Sequence, residues 1–142
     1  ARLRALEETS DTVRRLRELN LNVLIDAPKP VLQAPAFRCS DWFNRHNPIC
    51  RLGDKTDRTF LLKMREPVML SLAQLQTRFD NVTVWDPFPI LCPGDVCSAY
   101  DTDGLPVFFD GDHLSAHGNR MLYPEFEKIL RQIWDTGNDI SR

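Results

Sequence analysis

Twice in this chain a short apolar run ends in Asp and, within two residues, Pro: "NVLIDAP" at 22–28 and "NVTVWDP" at 81–87. Val23, Leu24 and Ile25 form a continuous run rather than an alternation, which suits a strand covered on both faces, as in a parallel sheet. Val82, Val84 and Trp85 form the second such run. Each follows a stretch with helical periodicity. Residues 2–19 place Leu3, Leu6, Val13, Leu16 and Leu19 among Arg and Glu, an apolar stripe with a solvated opposite face. Residues 58–65 read as a short helical turn. Pro67 fits the first position of a fresh helix, whose stripe is Val68, Leu72, Leu75 and Phe79. "LCPGDVC" reads as a tight loop and "PVFF" as a short strand or extended segment. Leu122, Phe126, Ile129, Leu130 and Ile133 mark a last amphipathic helix. Pro124 is expected to kink or restart it, and Gly137 to stop it. Helices alternating with strands predict an α/β fold: a three-layer α/β/α domain with a short parallel sheet. Two or three strands make a small sheet. The expectation is therefore one domain over 1–142 that is the C-terminal part of a larger unit, or that completes itself as a homodimer by sheet-edge pairing.

The formal charge is −2 with both signs mixed along the chain, so no basic excess points to nucleic acid. No apolar run approaches the roughly 18–20 residues that cross a bilayer. Cys39, Cys50, Cys92 and Cys97 are spaced C-x10-C and C-x4-C rather than as the C-x2-C knuckles of zinc sites. An even count in two loop-like stretches favours two local disulfides, Cys39–Cys50 and Cys92–Cys97, and hence an oxidising compartment. Four cysteines allow three pairings, and four reduced thiols in a cytosolic protein are the alternative. Residues 27–57 hold four prolines and little periodicity, a long loop that a disulfide would staple.

Sites in open α/β sheets lie at the carboxyl ends of strands. Asp26 and Asp86 end the two runs, and there they read as turn caps. Asp110 and His113, in "FFDGDHLSAHGNR", read differently. A catalytic imidazole needs a carboxylate on one nitrogen to fix its tautomer, leaving the other to take a proton. A D-x-x-H spacing in a tight turn brings the two together. Ser115 would cap the following helix and hold His113 at its entrance, and Gly118 would allow close packing. Taken alone, the pattern is also that of a surface turn before a helix.

The wider "D-x-x-H-L-S-x-x-G" form resembles the last block of the SGNH/GDSL hydrolase superfamily. More narrowly, it is similar to the SGNH domain fused behind the membrane acyltransferase-3 domain in bacterial surface-polysaccharide O-acyltransferases. "NVLIDAPKP" and "VTVWDPFPILCPGDVC" resemble blocks of that same type, loosely over 12–134 and more specifically over 82–118. The resemblance implies an SGNH, flavodoxin-like fold and a Ser-His-Asp mechanism with His113 as base and Asp110 as its orienting carboxylate. It also implies an acyl donor derived from acetyl-CoA, no cofactor held by this chain, and a polysaccharide or lipopolysaccharide acceptor. The parent would be anchored in the bacterial inner membrane with this domain in the periplasm. The family's G-D-S nucleophile block is missing. "GDK" at 53–55 lies in the long loop, and neither Ser40 nor Ser71 sits at a strand-to-helix elbow. The nucleophile and oxyanion hole are expected upstream of Ala1, leaving this stretch inactive alone.

Other readings compete. His113 and His117 sit at i and i+4, as metal ligands on a helix do, but without the Glu of H-E-x-x-H. Asp101, Asp103, Gly104 and Asp110 superficially resemble a calcium loop without its flanking helices. No metal is expected at either. His46, beside Trp42 and Phe43, could touch a sugar or acyl chain, or pack under the loop. As a whole, the chain could instead be a degenerate carbohydrate-binding module, a fragment of a stand-alone carbohydrate esterase, or a stand-alone cytosolic α/β protein.

Overall fold

The computed structural model describes residues 2–44 and 46–139. Helix α1 spans Arg2–Glu18. It ends in a Schellman motif: the Leu21 N–H donates to the Leu16 carbonyl and the Asn20 N–H to that of Arg17, both at 2.9 Å. Asn20 holds φ at 55°, the left-handed position that Asn tolerates better than most residues. The chain then enters β1 (Val23–Asp26).

After β1 come two short helices, α2 (Ala36–Cys39) and α3 (Pro48–Leu52), then β2 (Lys55–Asp57). Asn47 caps α3, and Asp57 caps the long α4 (Arg58–Arg78) by accepting the Phe60 N–H at 2.8 Å. β3 (Val82–Trp85), α5 (Phe88–Leu91), β4 (Val96–Ser98) and α6 (Ala116–Asp139) complete the order.

β1 and β3 pair in parallel, with Val23 beside Val82 and Ile25 beside Val84. Because side chains alternate along a strand, those four residues face one side. They pack there against Val13 of α1 and Leu72 and Leu75 of α4. Leu24 and Trp85 face the other side, against Leu91 of α5 and Leu122, Phe126 and Ile129 of α6. The Trp85 and Phe126 rings lie 5.0 Å apart. The expected α/β sandwich of helix, parallel sheet and helix is thus present around a two-stranded sheet.

Three sequence expectations need correcting. Residues 58–78 form one helix, so Pro67 lies inside α4 rather than starting a new one. An interior proline costs about 3 kcal/mol. Burying Leu61, Leu72 and Leu75 at about 1.5–3 kcal/mol each outweighs that. Of the two outcomes expected at Pro124 the restart is ruled out: it lies inside α6, whose buried Leu122 and core-facing Phe126 hold the helix together across it. Gly137 does not stop α6, which runs on to Asp139.

A second, antiparallel pair, β2 with β4, was not foreshadowed by periodicity. Disulfides join Cys39 to Cys50 and Cys92 to Cys97, with Cα separations of 5.4 and 4.7 Å. The first closes the α2–α3 loop. The second closes the "LCPGDVC" turn, and both of its sulfur atoms lie in a small core with Leu61 and Phe88. "PVFF" forms no regular strand. It makes isolated bridges, Pro106 with Tyr100 and Phe108 with Leu114, while Val107 and Phe108 are buried.

Candidate active site

The segment 107–115 folds back on itself. The Ser115 N–H donates to the Val107 carbonyl at 2.9 Å and the Phe109 N–H to that of His113 at 2.7 Å. At the tip, one Asp110 oxygen accepts the backbone N–H groups of Asp112 (3.1 Å) and His113 (2.7 Å). Such a turn is what a short carboxylate side chain readily forms with the backbone just after it. It fixes the carboxylate before any side-chain partner is considered.

The imidazole completes the arrangement. His113 Nδ1 lies 3.1 and 3.0 Å from the two Asp110 oxygens and 3.1 Å from Asp112 Oδ1. A carboxylate accepts and does not donate, so Nδ1 carries the proton and Nε2 holds the lone pair. Among the described residues nothing bonds Nε2, and the His113 side chain is 76 % exposed. The group is an oriented base open to whatever approaches.

Charge reinforces the geometry. Backbone N–H donation from His113 and then Asp112, with the imidazole adding to it, holds the Asp110 carboxyl far below the usual carboxylate range. The Asp110 hydrogen bond, followed by the charges of Asp110 and Asp112, raises the His113 imidazole above its ordinary value.

The neighbouring elements position this turn. Ser115 caps α6, its Oγ accepting the Gly118 N–H at 3.0 Å and donating to the Pro106 carbonyl at 2.6 Å. Gly118 is needed where α6 meets the Val107 backbone, because a Cβ there would lie 2.2 Å from the carbonyl oxygen. The loop leaving the carboxyl end of β1 reaches the turn as well: the Leu32 N–H donates to the Gly111 carbonyl at 2.7 Å. Asp112 and Gly111 were not singled out in the sequence. The second Asp of "DGDH" was the visible signal for Asp112.

His117 does not join His113. Its Nε2 lies 2.6 Å from Asp101 Oδ2, which ties α6 to the 101–105 loop. Asp101 Oδ1 accepts the Asp103 and Leu105 N–H groups, so this carboxylate braces its own loop. Asp110, Asp112 and His113 bring three ligand-type atoms within 4.8 Å of one another. That is the set a cation could use, though its Asp110 oxygens already accept hydrogen bonds.

The strand-end aspartates differ from one another. Asp26 pairs with Lys29. Asp86 accepts the Phe88 N–H at 3.0 Å, as a cap does, and also the Nη2 of Arg65 at 2.7 Å. Arg65 is 8 % exposed and stacks over the Phe88 ring at 4.4 Å. Asp86→Ala should strand that buried guanidinium and cost about 2 kcal/mol, a melting-temperature drop of roughly 5 °C by calorimetry. An unchanged melting temperature would show that the pair contributes nothing.

The other described serines make local hydrogen bonds of their own. Ser10, Ser40 and Ser71 each donate to a carbonyl one helical turn earlier, and Ser98 accepts the Tyr100 N–H. His46 is exposed on the loop that Cys39–Cys50 closes. On that loop Trp42 and Phe43 do not pack underneath; both are exposed, edge to face at 5.8 Å.

A three-layer α/β domain with a turn-borne Asp–His pair defines a hydrolase-like domain of SGNH type. The chain belongs to that family: the family model described as SGNH domain (fused to AT3 domains) matches residues 2–128. No curated protein and no solved structure matches it. Among the described residues no helix is long and apolar enough to cross a membrane.

Proposed function

We propose that this domain supplies the base and orienter of a Ser-His-Asp acyl-transfer site in a membrane-anchored O-acyltransferase that modifies surface carbohydrate outside the cytoplasm. The observation that carries this reading is the Asp110–His113 pair, with Nδ1 held at 3.0 Å and Nε2 facing outward. Family membership supports it, because these SGNH domains are described as fused to AT3 domains.

The serine comes from a part of the parent polypeptide outside this chain. It attacks the carbonyl of an acyl donor, and His113 Nε2 takes its proton as the tetrahedral intermediate forms. The imidazolium, stabilised by Asp110, then gives that proton to the leaving group. In the second half a sugar hydroxyl gives its proton to Nε2 and attacks the acyl-serine; the bond to the serine oxygen breaks, the imidazolium returns the proton to that oxygen, and the sugar ester leaves. The two disulfides suit an oxidising compartment.

A fluorophosphonate probe tests this. It should label one serine of the parent polypeptide and leave the 142-residue chain unlabelled. Labelling of the isolated chain would place the nucleophile inside it and overturn the assignment. Absence of labelling in the parent would favour a carbohydrate-binding role without turnover.

A further inference from the structure

Phe37 and Phe109 are large apolar side chains left 53 % and 51 % exposed, yet they are not scattered. Their rings stack on each other with centroids 5.1 Å apart and planes 30° apart. Single exposed aromatics are ordinary on a protein surface, whereas a joined apolar patch marks a place of contact.

The pair is rigidly tied to the base. The Phe109 N–H donates to the His113 carbonyl at 2.7 Å, and the Phe37 N–H to the Phe109 carbonyl at 3.1 Å. Phe109 directly precedes Asp110. Phe37 lies on α2, which is fixed by Cys39–Cys50 and by the Tyr100 hydroxyl donating to the Ala36 carbonyl at 2.9 Å. Two rings are thus held in place, out in solvent, next to the turn that carries His113.

We propose that the stacked Phe37 and Phe109 rings form a platform for one pyranose ring of the carbohydrate acceptor, presenting its hydroxyl to His113. This rests on the acyl-transfer reading above and adds which substrate the domain itself grips. The exposure selects the occupant. An alkyl chain gains most from an enclosed apolar pocket that removes it from water on all sides. A pyranose has one face of C–H groups and a rim of hydroxyls, and an open aromatic surface covers the face while leaving the rim in water. Arg38, next to Phe37 in the chain, is exposed, so the platform has a polar neighbour.

The experiment is a titration of the 142-residue chain, followed by the aromatic-ring NMR signals, with four methyl pyranosides and, separately, hexanoate. At least one pyranoside should shift the Phe37 and Phe109 ring signals, and Phe109→Ala or Phe37→Ala should weaken that binding about tenfold. Both positions are surface-exposed, and an unchanged melting temperature confirms each variant as folded. His113→Ala should abolish acyl transfer by the parent while pyranosides still shift the two ring signals, which separates this proposal from the catalytic one. Shifts with hexanoate alone, no ring shifts with any pyranoside, or full affinity in both alanine variants would each overturn the platform.

Discussion

His113→Ala should lower acyl transfer by the parent polypeptide by about three to four orders of magnitude in kcat/KM, with the melting temperature unchanged within about 2 °C. The two parts of this expectation come from one fact. The side chain is 76 % exposed and fills no core space, so its removal leaves no cavity. What disappears is the imidazole whose Nε2 takes the proton in the proposed reaction. A variant that retains a tenth of the activity would mean that the base lies elsewhere.

Asp110→Asn separates orientation from presence. The amide still reaches Nδ1 but carries no charge and can offer an N–H, favouring the wrong tautomer. Activity should fall by a similar factor, and its pH profile should move. In the native protein the Asp110 hydrogen bond and charge raise the His113 imidazole, so the neutral base accumulates only above the ordinary histidine range near 6.5. Without that carboxylate the acid limb of residual kcat/KM should shift to lower pH. The same pair has a signature in stability. The raised imidazole contributes fully below about pH 6.5 and loses its contribution as pH rises through the folded value. The depressed Asp110 contributes fully above about pH 3.8 and loses its share as pH falls. The ion pair therefore acts in full between those limits, and exposure keeps its worth small.

The parts of this fold that could be read from sequence are those whose signal is local and repeated. β1 and β3 announce themselves because a strand covered by helices on both faces must be apolar on both faces, and each run ends in Asp and Pro. Ser115 as a cap and the Asp110–His113 pair were legible because both are made within a few residues of chain. β2 and β4 were not. "KTD" and "VCS" are three residues each, too short for any period, and exist only because distant segments meet. Pro67 misled for the opposite reason. Its local preference is for the first turn of a helix, and packing against the sheet carried one helix across it. Arg65 is the clearest case of a role invisible in sequence. Its position on α4 reads as a solvated cation until the helix docks and leaves it buried beside Asp86 and over Phe88.

Gly111→Ala should reduce activity of the parent at least a hundredfold and lower the melting temperature by several degrees, although residue 111 touches no substrate in the proposed reaction. A Cβ at Gly111 would lie 2.2 Å from the Leu32 carbonyl oxygen, closer than real Cβ atoms come to backbone. The obstacle is main chain rather than the flexible end of a side chain, so the turn or the loop after β1 must move. That movement breaks the 2.7 Å bond from the Leu32 N–H to the Gly111 carbonyl, which ties the turn to the sheet. Asp110 and His113 stand on either side of the displaced residue, and a shift of about 1 Å in a reacting group is enough to cost a factor of a hundred. The prediction also discriminates between the two roles assigned to this surface. The Asp110 Asx turn is local and can travel as a unit, so the His113 imidazole should keep its raised pKa in an NMR titration while kcat/KM falls. A variant with normal activity and a normal melting temperature would show that the turn works without its anchor to β1. Placement of the base relative to the sheet would then not be what the glycine secures.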